Sequence, residues 1–352
     1  METKSRINYI DNIKIAITFL VVAHHAGQPY GNTGGVWLLE DTPKLEWLSS
    51  FFFINAAYMM GFFFFVSGYF MYFSVARKST AVFLKDRFRR LGIPLLFFMF
   101  VVFVPLSYMM ADTRENYFVF LYDTYFHKPP LAVGHLWFVA SLLAYTFIFM
   151  ALKKPLLKSR ELVWQPWYPL VFIMVLAAVN YGVRLKYPID HWETWLIPIE
   201  VAHLPQYLSL FLLGVVANKN NWLEQLQPKT GWVYFAVGVS LFCIRETLNE
   251  WVSEAMAEPL VETFLCVGII MGSLVGFKKW GNSTHAVVQF FSNCSYGIYL
   301  FHVLLVIAFQ LLFQGMGMPT LLKFIAVTLL GITSAAVLTN FLKKNKGLNK
   351  IL

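Results

Sequence analysis

Charge is scarce in this chain: only 13% of its 352 residues are Asp, Glu, Lys or Arg, about half the share found in ordinary soluble domains. That excludes a fold resting on a charged, solvated surface. Cysteine is scarcer still. Cys243, Cys266 and Cys294 stand far apart without CxxC spacing, so neither a disulfide framework nor a zinc site is supported, and three free, buried thiols and no metal are expected. The chain also lacks a Walker loop, a GxGxxG turn between strand and helix, any low-complexity tract and any visible chain-wide repeat, which removes the phosphate-cradling nucleotide folds from consideration.

Apolar side chains are what it has: 58% of residues are hydrophobic and 18% aromatic. Runs of about 20 such residues, the length a helix needs to cross about 30 Å of hydrocarbon, fall at 12–31, 49–73, 92–110, 135–151, 167–183, 197–217, 230–248, 259–277, 289–314 and 319–341. The expectation is an all-α integral membrane protein, one polytopic bundle of about ten transmembrane helices forming a single domain over 1–352. The connections leave no room for an appended soluble domain. The first run is longer than the core of a signal peptide and nine more follow it, so it is expected to stay in place.

Twenty of the 28 Lys and Arg residues fall on one side of these runs, and six on the other. Arg77, Lys78, Lys85, Arg87, Arg89 and Arg90 lie together before the third run, and Lys343, Lys344, Lys346 and Lys350 after the last. Such enrichment marks cytoplasmic loops, so both termini are expected there. Acids collect opposite, among them Asp41, Asp190, Glu200, Glu246, Glu254 and Glu258. The net charge of +9 therefore reflects topology against an anionic inner leaflet. Without an aromatic and basic binding module it is no sign of nucleic acid.

The first run reads IDNIKIAITFLVVAHHAG. At about 100° per residue, Lys14 and His25 share a face, some 16 Å apart along the axis, with Asp11 one turn before Lys14 and able to pair with it. Lys14 alone is consistent with snorkelling to the headgroups. Ionisable groups inside a membrane are costly, however, and mark pathways or sites. His24 lies about 100° around the helix from His25, so one of the two is expected to face a cavity, and His25 is favoured. Further on, in FLKDRFRRLGIP, Arg87 and Arg90 are three apart; on a helix they are neighbours able to grip one phosphate or pyrophosphate. Pro94 would then open the third span. By itself this cluster is equally an ordinary positive-inside anchor.

Six blocks, in order, resemble the acyltransferase type 3 family of integral membrane enzymes over nearly the whole chain: YIDNIKIAITFLVVAHH, FFFFVSGYF, FLKDRFRRLGIP, GHLWFVASLLAY, FLLG and FSNCSYGIYLFH. One departure is Lys14, where the family usually has arginine; a point charge replaces a bidentate fork. The resemblance implies transfer of an acyl group, most often acetyl, from cytoplasmic acyl-coenzyme A to a hydroxyl of an extracytoplasmic glycan or lipid-linked sugar. Acyl-CoA would be a co-substrate, with no tightly bound cofactor, and the setting a bacterial cytoplasmic (inner) membrane. His25 would be general base or transient acyl carrier, and Lys14, Arg87, Arg90 and Arg89 would hold the coenzyme phosphates.

Asp11, His24, Ser67, Trp137, Tyr299 and His302 are candidates for the cavity wall. Against that stand helix packing for Ser67, an interfacial anchor for Trp137 and a packed hydrogen bond for His302. Glu262 is expected to bond to a neighbouring helix, and the tryptophans of the outer loops to form an interfacial belt. A Ser-His-Asp triad is rejected, since Asp11 lies about 20 Å of helix from His25. Succinyl transfer is the runner-up activity. A transporter or flippase of polysaccharide precursors, with histidines relaying protons, is the competitor from another class.

Overall fold

The computed structural model describes residues 7–35, 37–111, 115–126, 133–194 and 198–352. Lys4, Arg6, Asp112, Arg114 and Lys128, part of the charge count, lie outside these residues. Helix forms at each of the ten apolar runs, because within hydrocarbon a helix satisfies every backbone N–H and C=O internally.

In chain order the helices are α1 Asn8–Gly27, α2 Leu48–Ala76, α3 Thr80–Met109, α4 Tyr117–Phe126, α5 Gly134–Lys158, α6 Tyr168–Arg184, α7 Leu204–Lys219, α8 Pro228–Cys243, α9 Arg245–Trp251, α10 Glu254–Trp280, α11 Ala286–Phe313 and α12 Thr320–Leu342. Six of them, α2, α3, α5, α10, α11 and α12, are long and apolar enough to cross a membrane, and the pair α8 and α9, bent by 68°, makes a seventh if it counts as one span. Helices α6 and α7 are shorter, and α1 is diluted by Asp11, Lys14 and its two histidines, so these three fall below that measure.

The third helix corrects the sequence reading. It starts at Thr80, well before the apolar run, so the arginines belong to the helix and Pro94 lies inside it. Two π-helical turns, Phe88–Gly92 and Phe98–Phe103, end just ahead of Pro94 and Pro105. A proline cannot donate to the regular ladder, and the widened turns take up that defect without ending the helix.

Where helices meet, small residues let backbones approach. A Cβ added to Gly68 of α2 would stand 1.9 Å from the Phe211 carbonyl oxygen of α7, and one on Gly214 of α7 would stand 2.1 Å from the Phe65 carbonyl oxygen. Helix α1 is walled by α2, α10, α11 and α12, and buries Ile10, Ile13, Ile17, Val21 and Val22 among them. Outer faces such as Leu321, Leu322, Ile325 and Leu329 of α12 are left to lipid. A short antiparallel hairpin, β1 Trp192–Thr194 and β2 Pro198–Glu200, joins α6 to α7. Cys266 and Cys294 are buried as expected, but Cys243 is exposed at the end of α8.

Candidate functional site

Two cavities of opposite electrostatic character flank the middle of the bundle. The first, about 610 Å³, is lined by five cations, Lys14, Lys78, Arg87, Arg90 and Lys343, against the carboxylates Asp11 and Asp86. Both acids are already taken: Asp11 pairs with Lys14 at 2.5 Å, and Asp86 pairs with Lys78. Arg87 stands over the Phe83 ring, 5.4 Å from its centroid, and the Tyr296 hydroxyl donates to the Arg90 carbonyl. Among the described residues neither Arg87 nor Arg90 has a carboxylate partner within ion-pair distance. Arg89 is not in the lining, because the turn carries it to another side; Ser67 is.

The second cavity, about 890 Å³, is lined by His24, His25, His135 and Trp137 and by six carboxylates, Asp190, Glu200, Glu246, Glu254, Glu258 and Glu262. Arg184, Arg245 and His203 are its cations. Glu262 joins Arg184 at 2.6 Å and His203 at 3.1 Å, and His203 reaches Glu200 at 2.9 Å. His203 lies in the turn ahead of α7, before the helix begins at Leu204. Burial works against its charge, but Glu262 and Glu200 outweigh burial and raise its pKa well above the ordinary imidazole value. Tyr299 stands in the wall of both cavities, and its hydroxyl donates to the His135 carbonyl.

His25 is clamped on several sides. Its Nδ1 lies 2.7 Å from Gln28 Oε1, and its ring stacks on Trp37 with centroids 5.2 Å apart and planes at 18°. The His302 ring is 5.2 Å away and in turn 4.9 Å from His135. His302 is fully buried and packed, with Nδ1 2.7 Å from the Tyr299 carbonyl, while its Nε2 has no hydrogen-bond partner among the described residues.

Of the candidates, Asp11, Lys14, Ser67, Arg87 and Arg90 therefore gather in the basic cavity, His24, His25 and Trp137 in the histidine cavity, and Tyr299 in both. Lys14 and His25 share a helix face yet line different cavities. The expectation that one of His24 and His25 would face the cavity is corrected: both line it, together with Thr33, Gly34 and Gly35 of the following loop. Trp137 stacks on Tyr207 at 5.6 Å.

Sequence reasoning missed His135, although it lies in GHLWFVASLLAY, and also Gln28, Trp37 and Gln310. A polar residue inside an apolar run was the available signal for His135 and Gln310, and the i to i+3 spacing from His25 for Gln28. Trp37, in a loop read as interfacial belt, instead packs on His25 and donates to Gln310 Oε1 at 2.9 Å.

This is a multi-pass helical membrane protein with a basic cavity and, beside it, an acidic cavity that carries the histidine site. Residues 7–340 match the acyltransferase domain that defines the acyltransferase type 3 family, and the chain belongs to that family. It is similar to the glucans biosynthesis protein C of Shigella dysenteriae serotype 1 (strain Sd197) and of Escherichia coli (strain K12). Each is 24% identical over 319 residues, covering 84% of this chain and 80% of the relative. No solved structure matches the chain.

Proposed function

We propose that this chain is a membrane O-acyltransferase that moves an acyl group, acetyl first and succinyl as runner-up, from acyl-coenzyme A to a hydroxyl of a glycan or lipid-linked sugar. The observation that carries the reading is the opposed charge of two cavities sharing the Tyr299 wall. Coenzyme A is a polyanion, and Arg87 and Arg90, with Lys14 beside them, suit its phosphates. Its thin pantetheine arm would pass Tyr299 toward His25. By the positive-inside argument the basic cavity opens to the cytoplasm and the histidine cavity to the other side.

A surplus of carboxylates in the second cavity favours an uncharged acceptor, since like charge brought into a low-dielectric space is repelled. The name of the similar proteins, glucans biosynthesis protein C, agrees with a neutral polysaccharide.

In the reaction His25 Nε2 takes the proton of the acceptor hydroxyl as its oxygen attacks the thioester carbonyl. The tetrahedral adduct collapses, the C–S bond breaks, and the thiolate takes the proton back from the imidazolium, leaving an ester and free coenzyme A. In the acyl-carrier variant the same nitrogen attacks first and the acceptor then displaces imidazole.

The test is coenzyme A release by purified protein in nanodiscs, from acetyl-CoA and succinyl-CoA, with envelope glycans supplied. Turnover that His25→Ala abolishes, and that Arg87→Ala shifts to higher donor concentration, supports the reading. A folded wild type that consumes neither thioester would refute it and favour the transporter.

A further inference from the structure

We propose that Gln28 is a positioning residue that fixes the neutral tautomer of His25, and that the loop after α1 exists in part to hold that pair. This rests on His25 being the reactive group of the proposed function. Gln28 opens a short 3-10 turn, Gln28–Tyr30, directly after α1, and is nearly fully buried. Its amide orientation follows from its second partner: Gln28 contacts the Gly34 carbonyl. A carbonyl only accepts, so the NH2 group must face Gly34 and Oε1 must face His25. Oε1 in turn only accepts, so the His25 nitrogen 2.7 Å away, Nδ1, must carry the proton. The neutral ring then presents an unprotonated Nε2, the form that both a general base and a nucleophile require.

The backbone that delivers this arrangement is specific. Gly34 has φ +110°, a region L side chains rarely adopt, and a Cβ there would meet the Phe52 ring at 2.9 Å. Glycine is what lets the carbonyl turn toward Gln28.

A second set of contacts fixes the ring plane. Trp37 lies on the His25 ring, and Gln310, which accepts from Trp37, donates through Nε2 to the His25 carbonyl at 3.0 Å and the Ala26 carbonyl at 3.3 Å. The loop is tied down by Lys44, which donates to the Pro29 carbonyl at 2.9 Å, and by a half-buried pair of Asp41 with the buried Lys323 of α12 at 2.8 Å. One loop thus sets both the protonated nitrogen and the orientation of the imidazole, and neither role requires contact with substrate.

The experiment compares wild type, Gln28→Leu and Gln28→Glu in nanodiscs by two independent readouts. The first is the nitrogen NMR spectrum of 15N-histidine-labelled protein, with His25 assigned by difference from His25→Ala. Wild type is expected in the Nδ1–H form, Gln28→Leu to lose that preference, and Gln28→Glu, whose carboxylate still accepts from Nδ1–H, to keep it. The second is steady-state acyl transfer. Gln28→Leu should lower kcat about 100-fold, within the range of general-base catalysis, with the KM for acyl-CoA unchanged, and Gln28→Glu should restore most of the rate.

If Gln28→Leu keeps both the wild-type tautomer and the wild-type kcat, the positioning role is wrong while the acyltransferase reading stands. If wild type shows no turnover, the acyltransferase reading fails, and the spectra alone judge Gln28: coincident spectra for wild type and Gln28→Leu, or a wild type in the Nε2–H form, overturn the assignment.

Discussion

The Arg184 guanidinium meets the Glu262 carboxylate at 2.6 Å with only 8% and 5% of the two side chains exposed. Glu262 also holds His203 at 3.1 Å, so one carboxylate answers two buried cations. Removing one side of a buried pair costs about 3–5 kcal/mol, because the other charge is left without compensation. Glu262→Gln is expected to lower the melting temperature in detergent by about 5 °C or more, and the double variant Arg184→Gln, Glu262→Gln to recover part of that loss. An unchanged melting curve for Glu262→Gln would show that the pair contributes nothing.

The same network makes stability depend on pH through His203. Its pKa, about 6.5 in an unfolded chain, is pushed up to about 10 by Glu262 and Glu200 despite its burial. A raised folded value means the contribution is complete below about pH 6.5 and fades as pH climbs toward about 10. The gap in melting temperature between wild type and His203→Gln should therefore be widest near pH 6 and close steadily by pH 10. A gap that widens with pH would contradict a charged His203.

Arg87 and Arg90 line the basic cavity and Arg89 does not. On the proposed reading, Arg87→Ala and Arg90→Ala should each raise the KM for acyl-CoA about tenfold or more, the scale of one charge-assisted hydrogen bond, with little change in kcat. Arg89→Ala should leave both parameters near wild type. Equal effects at all three positions, all relieved by salt, would mean a diffuse basic surface instead of a phosphate site.

Gly68→Ala probes the packing of α2 on α7. Its Cβ would stand 1.9 Å from the Phe211 carbonyl oxygen, so the two helices must separate, a strain of about 1–3 kcal/mol. Thermal unfolding should register that loss, while the neighbouring Ser67→Ala stays near wild type. Equal stability of the two variants would mean the interface yields without strain.

Helix positions were legible in large part: helix falls within each apolar run, although 198–200 is a strand and six helices, or seven with the bent pair, are long and apolar enough to cross a membrane, and Asp11 pairs with Lys14 as the i to i+3 spacing suggested. What failed was whatever depends on partners distant in sequence. The start of α3 was misplaced because hydropathy reports where a chain meets lipid, and the helix continues beyond that boundary to carry its arginines. Helical spacing puts Lys14 and His25 on one face of α1, yet the two residues line different cavities.

Both histidines of the pair face one cavity because its wall includes the first loop, which no periodicity describes. Trp37 was taken for a belt residue because composition sees a loop tryptophan near a membrane boundary, and its role needs Gln310, 273 residues further along. Glu262 was expected to pair with a neighbouring helix, yet only the folded bundle names Arg184 and His203 as its partners.

Tyr299, standing in the wall of both cavities, has a kinetic consequence. On the proposed reading, a donor in one cavity and an acceptor in the other would meet across a single side chain. On the direct route neither substrate would have to leave before the other arrives. Double-reciprocal plots at varied donor and acceptor should intersect if the acyl group passes directly, and run parallel if His25 carries it between two half-reactions. The wall between the compartments thereby turns a question of mechanism into the slope of a line.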